Sequence, residues 1–544
     1  MRTRFFIHWL VLVWMCIQSV RAQPIEVLFA YGSEKEDWIK ETTASFNKLR
    51  QTTKSGKIIF IKHLPMGSGE CMDGVQSGRV KAHLVSPASG VFIKLANATA
   101  RARTGKDLVG DTENLVLSPV VIAMWKPMAE ALSPDGKALG WGDVLNLTKA
   151  ADGWGSVGMG QWGRFKLGHT HPDFSNSGLI SIIAEAYAGA GKTSGLTLED
   201  VVSEAVGNYM GAIEGAIVHY GVSTGFFGKK MFNNGPAYLS AAVLYENMVI
   251  ESYSDKYKMP FPVVAIYPKE GTFWSDHPAG VVQADWVTPE HVEAGKLYLK
   301  YLLARPQQER AMTFGFRPGL VEVPLASPID EQHGVNPREP KTTLEVPKPE
   351  VVNKIVEVWR QKKKHANVVL VFDTSGSMNE EDRITNARRG AQQMLKLMAD
   401  EDTFSLMPFS SKFSWALRDA PLKTDRKRAL SMVGALFPEG GTALYDSISA
   451  AHRELTKTLQ PGVITAIVVL TDGQDTNSRT SLTALQAQIR FDSEKNNIRI
   501  FTIGYGKDAN MSVLRNIAEG TQAKSYEGTN ENIDTVFKDI STFF

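Results

Sequence analysis

The stretch NVVLVFDTSGS, residues 367–377, decides the fold of the C-terminal part of the chain. Its Val-, Leu- and Phe-rich start predicts a short strand buried on both faces, as in a parallel sheet covered by helices. The glycine allows a tight turn after the strand, so the oxygens of Asp373, Ser375 and Ser377 can converge above its carboxyl end. Open α/β sheets bind their ligands at that edge.

Two further loops are predicted at the same edge. Thr442 ends a Gly-Gly-Thr sequence before a predicted helix, and Asp472 follows another apolar strand. The five side chains offer hydroxyl and carboxylate oxygens, which suit Mg²⁺, Mn²⁺ or Ca²⁺ and disfavour zinc or copper. Two carboxylates are too few to enclose an ion, so water or a carboxylate from another molecule must complete its shell. The pattern favours adhesion over phosphoryl transfer, because no Gly-rich phosphate loop with a lysine accompanies it.

These residues resemble the metal-ion-dependent adhesion site of the von Willebrand factor A (VWA) domain family, and residues 366–544 are similar to that family throughout. The resemblance implies a Rossmann-like α/β domain with a mostly parallel central sheet flanked by helices. It also implies that Ser375, Ser377 and Thr442 contact the metal directly, while Asp373 and Asp472 act mainly through bound waters. Other strands are predicted at Thr403–Pro408, Thr465–Leu470 and Arg499–Ile503.

A proline-rich stretch separates this part from the rest. Seven of the 25 prolines lie between Arg317 and Glu350, which predicts an extended connector that partly holds its length. The predicted organisation is a signal peptide (1–22), a solute-binding-like domain (23–318), a linker with a helix (319–365) and the VWA domain (366–544).

The N-terminal part alternates short β-rich runs with helical patterns, which indicates a second α/β domain. At four consecutive strand–helix junctions lie small hydroxylated residues, where helix N-termini attract polar or anionic groups. Any one of them alone is better explained as a helix cap, but four in succession predict a cleft for a small polar or anionic solute. Predicted strands are Ile25–Tyr31, Lys57–Leu64, Ala82–Ser86, Leu115–Met124, Phe165–His169 and Val263–Tyr267, and Leu198–Ile217 is predicted to be one helix.

This part resembles the type II periplasmic solute-binding proteins of transport systems. The similarity rests on strand Ile25–Tyr31 running into Gly32 and Ser33, and on the sequences RPQQE (305–309) and FGFRP (314–318) near its end. It implies two α/β lobes that are joined by crossover strands and close around a ligand, with 115–125 as the first crossover. The resemblance places the cleft at Ser33, Ser68, Ser86, Thr170, Ser177 and Glu246.

Three other patterns have simpler interpretations. The GxGxxG sequence at 153–158 does not follow a predicted strand, so a loop is favoured over a dinucleotide site. A GxSxG sequence surrounds Ser223, but a helix is predicted before it, so the strand-to-helix elbow of a hydrolase is missing. His169 and His171 could share a metal, but without a third nearby ligand they are predicted to line the cleft.

The first residues predict export. Arg2 and Arg4 precede an apolar run that ends before Val20 and Ala22, which is the pattern of a secretory signal peptide; retention of the uncut segment as an anchor is left open. Cleavage would leave Cys71 as the one cysteine, without an intramolecular disulfide. With 60 Lys and Arg against 58 Asp and Glu, the chain has no basic field for nucleic acid.

The leading hypothesis is a bacterial, non-enzymatic binding protein in the periplasm or outside the cell. Its cation would bind an acidic residue of a partner protein, and no membrane span is predicted after signal cleavage. One alternative is the solute-binding component of an ABC-type transporter, docked to a partner by its VWA domain. A second is a hydrolase that uses Ser223 or a metal-bound water.

Overall fold

The computed structural model describes residues 23–460, 462–490 and 498–544, so the predicted signal peptide lies outside the described residues. Two compact units divide the chain. The first contains the residues up to Leu117 together with Asp276–Ser327, and the second contains Ser118–Ser275 and Pro328–Phe544. Strand Val116–Trp125 carries the chain from the first unit into the second, at the position of the predicted crossover.

The strands of the N-terminal part are β1 (Ile25–Gly32), β2 (Ile59–Met66), β3 (Leu84–Ser86), β4 (Val109–Asn114), β5 (Val116–Trp125), β6 (Leu167–Thr170), β7 (Ile217–Gly221), β8 (Ala241–Tyr245), β9 (Val263–Ile266), β10 (Trp274–Ser275), β11 (Pro278–Val282) and β12 (Arg317–Pro318). The helices of this part are Glu36–Lys48, Ser68–Gln76, Gly90–Thr104, Lys126–Leu132, Trp141–Lys149, Asn176–Ala190, Leu198–Val201, Glu204–Glu214, Thr224–Asn234, Glu246–Ser252, Pro289–Leu302 and Arg305–Thr313.

The first unit is built on a sheet with the strand order β2-β1-β3-β11-β4. Strand β1 lies between β2 and β3 and is parallel to both, so the carboxyl ends of these three strands meet at one edge. Aromatic side chains from its helices, among them Trp38, Phe46 and Tyr298, are buried with the apolar residues of β1 in one core. This arrangement positions every loop that follows β1, β2 and β3 at the same edge.

The second unit begins with the sheet of the other lobe. Strand β5 pairs antiparallel with β8, β9 and β10, and β6 pairs parallel with both β7 and β8. The predicted helix Leu198–Ile217 is wrong in its extent. Ser203 accepts a hydrogen bond from the backbone N–H of Val206 and so caps a new helix, Glu204–Glu214, after which the chain enters β7.

The C-terminal strands are β13 (Ala366–Asp373), β14 (Thr403–Phe409), β15 (Leu417–Pro421), β16 (Ile464–Thr471), β17 (Arg499–Tyr505) and β18 (Ser525–Gly528). The helices are Pro349–Lys362, Arg383–Leu397, Leu422–Gly434, Leu444–Lys457, Leu482–Ile489, Met511–Gly520 and Ile533–Ser541. The strand order is β15-β14-β13-β16-β17-β18, and only the edge strand β15 is antiparallel to its neighbour among the described strands.

Strand β13 is buried on both faces, as its sequence predicts. Val368 and Leu370 pack into a core with the helices Arg383–Leu397 and Ile533–Ser541, while Val369 packs into a separate core on the opposite face. The α/β fold with a mostly parallel central sheet between layers of helices is therefore confirmed for this part. The four strands predicted there, including 367–372, all exist within about two residues of their expected ends.

The proline-rich connector has little regular structure, but it is not a free spacer. Within the second unit, Ile329, Val335 and Leu344 are buried, because the connector is apolar enough to pack. The backbone N–H of Leu344 donates to the carbonyl of Thr272 (2.8 Å), which ties the connector to the second lobe.

The connector helix, Pro349–Lys362, and the chain end complete the second unit. Trp359 of this helix is fully buried and contacts the rings of His171 (5.0 Å) and Tyr220 (5.6 Å) edge to face. At the chain end, Phe543 stacks on His219 of the second lobe, with ring centroids 3.9 Å apart. None of the helices in the described ranges combines the length and apolar character that a bilayer crossing requires.

Candidate metal site and solute cleft

Asp373 is the last residue of β13 and is fully buried. Its Oδ1 accepts a hydrogen bond from the backbone N–H of Ser375 (2.7 Å), and its Oδ2 accepts one from the Thr471 hydroxyl (2.5 Å). Burial, helped by the nearby charge of Asp472, raises the pKa of the Asp373 carboxyl to about 6, although these hydrogen bonds oppose the shift. The carboxylate is thus held in one orientation at the carboxyl edge of the sheet.

The two serines continue this arrangement toward Asp472. The hydroxyls of Ser375 and Ser377 lie 3.1 Å apart, and Ser377 donates to Oδ1 of Asp472 (2.8 Å). The other oxygen of Asp472 accepts from Nη1 of Arg383, which lies 3.0 Å away and is itself nearly buried. Both loops, one after β13 and one after β16, therefore meet in a single hydrogen-bonded chain.

Thr442 lies on the third loop. The backbone N–H of Gly376 donates to the carbonyl of Gly440 (3.0 Å), which joins this loop to the one after β13. A Cβ atom placed on Gly473 would lie 3.7 Å from the hydroxyl of Thr442, so Thr442 also borders the loop after β16. All three predicted loops are brought together, and Gly376 and Gly440 are exposed beside them.

The donor set fits a hard divalent cation. It consists of the three hydroxyls and two carboxylates already described, without a nitrogen or sulfur ligand, at an edge where solvent reaches the neighbouring glycines. Sequence reasoning missed Thr471 and Arg383, which hold the two carboxylates. Thr471 adjoins Asp472 in the sequence and could have been found from that position, whereas no local pattern marks Arg383.

Three of the predicted cleft residues belong to the first unit. Ser33, Ser68 and Ser86 follow or end the parallel strands β1, β2 and β3 and are all buried. The Ser68 hydroxyl accepts from the backbone N–H of Ala88 (2.9 Å), and Ser86 donates to the carbonyl of His277 (3.4 Å). Two of the three hydroxyls therefore hydrogen-bond to the backbone of their own unit.

A buried charged cluster next to Ser33 escaped the sequence reasoning. Nζ of Lys35 lies 2.6 Å from Oε1 of Glu34 and 3.0 Å from Nδ1 of His277. Burial lowers the pKa of Lys35, although the charge of Glu34 opposes that shift. Burial also lowers the pKa of His277 to about 4, so this imidazole is neutral at pH 7.

The other three predicted cleft residues belong to the second unit. The hydroxyls of Thr170 and Ser177 lie 2.8 Å apart, and Thr170 also accepts from the backbone N–H of Gly178 (2.8 Å). A Cβ atom on Gly178 would lie 1.8 Å from the Thr170 carbonyl oxygen, so a glycine is required there. Glu246 is buried and accepts a hydrogen bond from the Tyr267 hydroxyl.

The structure shows what the GxSxG and GxGxxG sequences form. The helix predicted before Ser223 is wrong, because β7 precedes it and the helix Thr224–Asn234 follows. Ser223 nevertheless has ordinary extended backbone (φ −153°) and is 1% exposed, unlike the strained, accessible serine of a hydrolase elbow. The sequence 153–158 follows a helix and forms a 3₁₀ turn, as expected for a loop rather than a dinucleotide site.

The prediction for the pair His169 and His171 needs a correction. His171 stacks on Phe174, with ring centroids 4.4 Å apart, and belongs to no metal-ligating cluster among the described residues, whereas His169 lies beside two buried carboxylates, Glu185 and Glu214. The expectation that His169 has no further ligand nearby is therefore wrong. Glu185 and Glu214 are far from His169 in the sequence, so only the packing of two helices against β6 brings them to it.

Comparisons with known proteins agree with this architecture. A family model described as "Bacterial extracellular solute-binding protein" matches residues 27–317, which is more than half of the chain, and a "von Willebrand factor type A domain" model matches residues 367–540.

Individual relatives are more distant. The chain is 30% identical over 159 residues to inter-alpha-trypsin inhibitor heavy chain H4 of Bos taurus, covering 28% of this chain and 17% of that protein. It is 21% identical over 464 residues to an uncharacterized protein of Mycobacterium tuberculosis, covering 79% of this chain and 64% of that one. Among solved structures, a periplasmic thiamin binding protein shares 13% identity at a TM-score of 0.45, covering 62% and 96% of the two chains.

The family models carry the assignment, because the match to the first domain spans most of both lobes and the second match spans β13 to β18. The chain belongs to the bacterial extracellular solute-binding protein family and carries a von Willebrand factor type A domain after its solute-binding domain.

Proposed function

We propose that the protein is an exported, non-enzymatic binding protein that attaches to a partner protein through a divalent cation. Asp373, Ser375, Ser377, Thr442 and Asp472 would hold the cation, with Mg²⁺ as the first choice and Mn²⁺ or Ca²⁺ as alternatives. When bound, such a cation supplies an open coordination position for an acidic side chain of the partner. The two domain families give the chain a binding role, and the partner's chemistry is the proposal.

The observation that carries this proposal is the continuous hydrogen-bonded chain from Asp373 through Ser375 and Ser377 to Asp472. The backbone of Ser375 and the hydroxyl of Thr471 fix Asp373, so its carboxylate already has one defined orientation. Pre-organised ligands lower the free energy that must be spent on ordering when a partner binds. Gly376 and Gly440 beside the site are exposed, so solvent and a partner's acidic side chain can approach from that side.

The test compares Ser375→Ala with the control Ser431→Ala, an exposed serine on the helix Leu422–Gly434. Mg²⁺ binding to the full chain is measured by calorimetry, and partner capture from envelope extract is measured with Mg²⁺ or with chelator. We expect Ser375→Ala to weaken Mg²⁺ binding at least tenfold and to abolish the Mg²⁺-dependent capture. Capture that is equal for both variants and insensitive to chelator would contradict the proposal.

For the solute-binding domain, we propose a small polar or anionic solute as its ligand. The support is a group of buried polar side chains at the start of the helix Asn176–Ala190, where Ser177, Thr224 and Asn176 lie together. Nδ2 of Asn176 donates to the Tyr245 hydroxyl (3.0 Å), while its Oδ1 is buried without a hydrogen-bond partner among the described residues. An acceptor in this position favours a solute that also carries a donor group.

This proposal is tested by measuring the melting temperature of the protein with a series of small anions and polar metabolites. We expect at least one to raise the melting temperature in the wild type, and the shift to fall by more than half in Asn176→Ala but not in the exposed-site control Asn234→Ala. The proposal is wrong if a shift of equal size persists in Asn176→Ala, or if the wild type responds to none of the solutes.

A further inference from the structure

A second cluster of metal-ligating side chains lies inside the solute-binding lobe of the second unit, away from the VWA loops in sequence and in fold. It consists of His169 on β6, Glu185 on the helix Asn176–Ala190 and Glu214 at the end of the helix Glu204–Glu214. All three residues are fully buried. One ligand atom from each lies within 4.8 Å of the others, which is close enough for a single ion to reach all three after small side-chain movements.

The imidazole of His169 is oriented for ligation. Its Nδ1 lies 2.7 Å from the backbone carbonyl of Thr170, and a carbonyl oxygen only accepts, so Nδ1 carries the proton. Nε2 lies 2.9 Å from Oε1 of Glu214, a separation that requires one proton between the two atoms, and a bound metal ion would displace this proton. A backbone carbonyl that accepts from the far nitrogen is the usual support of a metal-bound histidine.

Glu214 is supported in the same manner. Its Oε2 accepts a hydrogen bond from the Tyr220 hydroxyl (2.6 Å), which leaves Oε1 directed at His169. Burial acts to raise the pKa of Glu214, but the charge and hydrogen bond of His169 and the hydrogen bond from Tyr220 hold it below its usual value. The Tyr220 hydroxyl therefore holds the Glu214 carboxylate in the orientation that the cluster needs.

Glu185 is the observation that calls for a ligand. Both of its carboxylate oxygens are buried, and neither has a hydrogen-bond partner among the described residues. Burial and the neighbouring charge of Glu214 raise its pKa well above the usual range. An unpartnered buried carboxyl destabilises a fold, so its presence here needs a compensating interaction.

The geometry points to a buried binding site for a first-row divalent transition-metal ion, held by Nε2 of His169 and by carboxylate oxygens of Glu185 and Glu214. One imidazole and two carboxylates suit Zn²⁺, Mn²⁺ or Fe²⁺ better than Mg²⁺, which prefers oxygen ligands alone. Such an ion would satisfy Glu185 and would replace the proton between His169 and Glu214. This donor set differs from the all-oxygen set of the VWA loops, so the lobe cluster would accept Zn²⁺, which the VWA loops disfavour.

The place of the cluster suggests what the ion would stabilise. Tyr220, which holds Glu214, packs edge to face against Trp359 of the connector helix Pro349–Lys362. An ion bound by β6 and two helices would therefore fix the surface on which the connector helix lies. Its expected role is structural, since all three ligands are fully buried.

The test uses the full chain with Asp373→Asn as the parent, so that the VWA loops do not contribute to the metal count. The parent, its Glu185→Gln variant and its Glu199→Gln control are unfolded in urea with chelator, refolded with Zn²⁺ and desalted. Glu199 is exposed and has no part in the cluster. Bound zinc per chain and the melting temperature are then measured with and without the metal.

We expect the parent and Glu199→Gln to retain about one zinc per chain and to melt several degrees higher with zinc, and Glu185→Gln to retain less than a tenth of that amount. Absence of bound zinc in the parent, or equal retention by Glu185→Gln, would overturn the proposal. Should Glu185→Gln fail to refold, the zinc X-ray absorption spectrum of the parent decides. One imidazole with oxygen ligands at 2.0–2.2 Å supports the site, and a sulfur-containing or all-oxygen shell refutes it.

Discussion

The two buried carboxylate clusters of the second unit are built in opposite ways. In the VWA loops, each oxygen of Asp373 and Asp472 accepts a hydrogen bond, from Ser375, Thr471, Ser377 and Arg383. In the lobe cluster, Glu214 is satisfied, but neither oxygen of Glu185 has a partner among the described residues. Both clusters offer carboxylates to a cation, yet only the first is internally balanced without one.

This difference teaches how each cluster should respond to metal and to mutation. A satisfied cluster keeps its arrangement without the ion, so the fold does not require the metal and ion binding can serve a reversible contact with a partner. An unsatisfied buried carboxyl makes the fold itself depend on what binds it, since binding free energy becomes folding free energy. We therefore expect the VWA site to act in recognition and the lobe cluster to act in stability.

The largest expected effect comes from breaking the lobe cluster with Glu214→Leu. This change leaves the Tyr220 hydroxyl and Nε2 of His169 buried without their partner, and it leaves Glu185 as the remaining carboxyl. Removing one member of a buried pair typically costs about 3–5 kcal/mol of folding free energy. Amide hydrogen exchange along β6 and the helix Asn176–Ala190 measures the loss locally, free of the transitions of other domains.

The control for this prediction is Glu199→Leu on the exposed side of the same lobe, which should change stability by less than about 0.5 kcal/mol. Exchange protection that is equal in Glu214→Leu and wild type, both in chelator, would show that Glu214 contributes nothing to the fold. In that case the contrast between the two clusters would not hold.

The contrast also explains what could be predicted from the sequence. The VWA site is encoded by short motifs that directly follow apolar strands, so the parallel sheet alone brings Asp373, Ser375 and Asp472 to one edge. The lobe cluster is encoded by residues on three separate elements. Their meeting depends on how two helices pack against β6, which no local pattern in one sequence reveals.

The same physical reason separates the strands that could be predicted from the sequence from those that could not. Strands rich in Val, Leu and Ile, such as β13 and β16, are found in the sequence because buried parallel strands need continuous apolar runs. Strands β4 and β11 escaped prediction because they are polar or glycine-containing and are set by pairing with each other. The connector was expected to be extended, and its packing on the second lobe could not be foreseen from proline content alone.

Arg383→Met in the VWA loops is expected to have a smaller effect than Glu214→Leu. It should lower the stability of the metal-free protein but strengthen Mg²⁺ binding. Nη1 of Arg383 lies 3.0 Å from Oδ2 of Asp472, and the charges of Glu380 and Asp508 lie 3.5 and 3.6 Å from its Nη2. Losing this hydrogen bond to a buried carboxylate should cost about 1.5–3 kcal/mol of folding free energy without metal. The melting temperature in chelator, compared with that of Arg389→Met, measures this cost, because Arg389 lies on the same helix as Arg383 and forms only an exposed ion pair, with Asp534 of the helix Ile533–Ser541.

With metal present, we expect the Mg²⁺ affinity of Arg383→Met to rise, although its stability without metal falls. The guanidinium repels a cation bound at Asp472, so its removal should tighten Mg²⁺ binding by about three- to tenfold, or about 1 kcal/mol. Calorimetry on the two arginine variants separates this effect from folding. If Arg383→Met is folded but binds Mg²⁺ more weakly than Arg389→Met, then the arginine holds Asp472 in place for the ion. Arg383 would then support the site by positioning Asp472, and it would not compete with Mg²⁺ for that carboxylate.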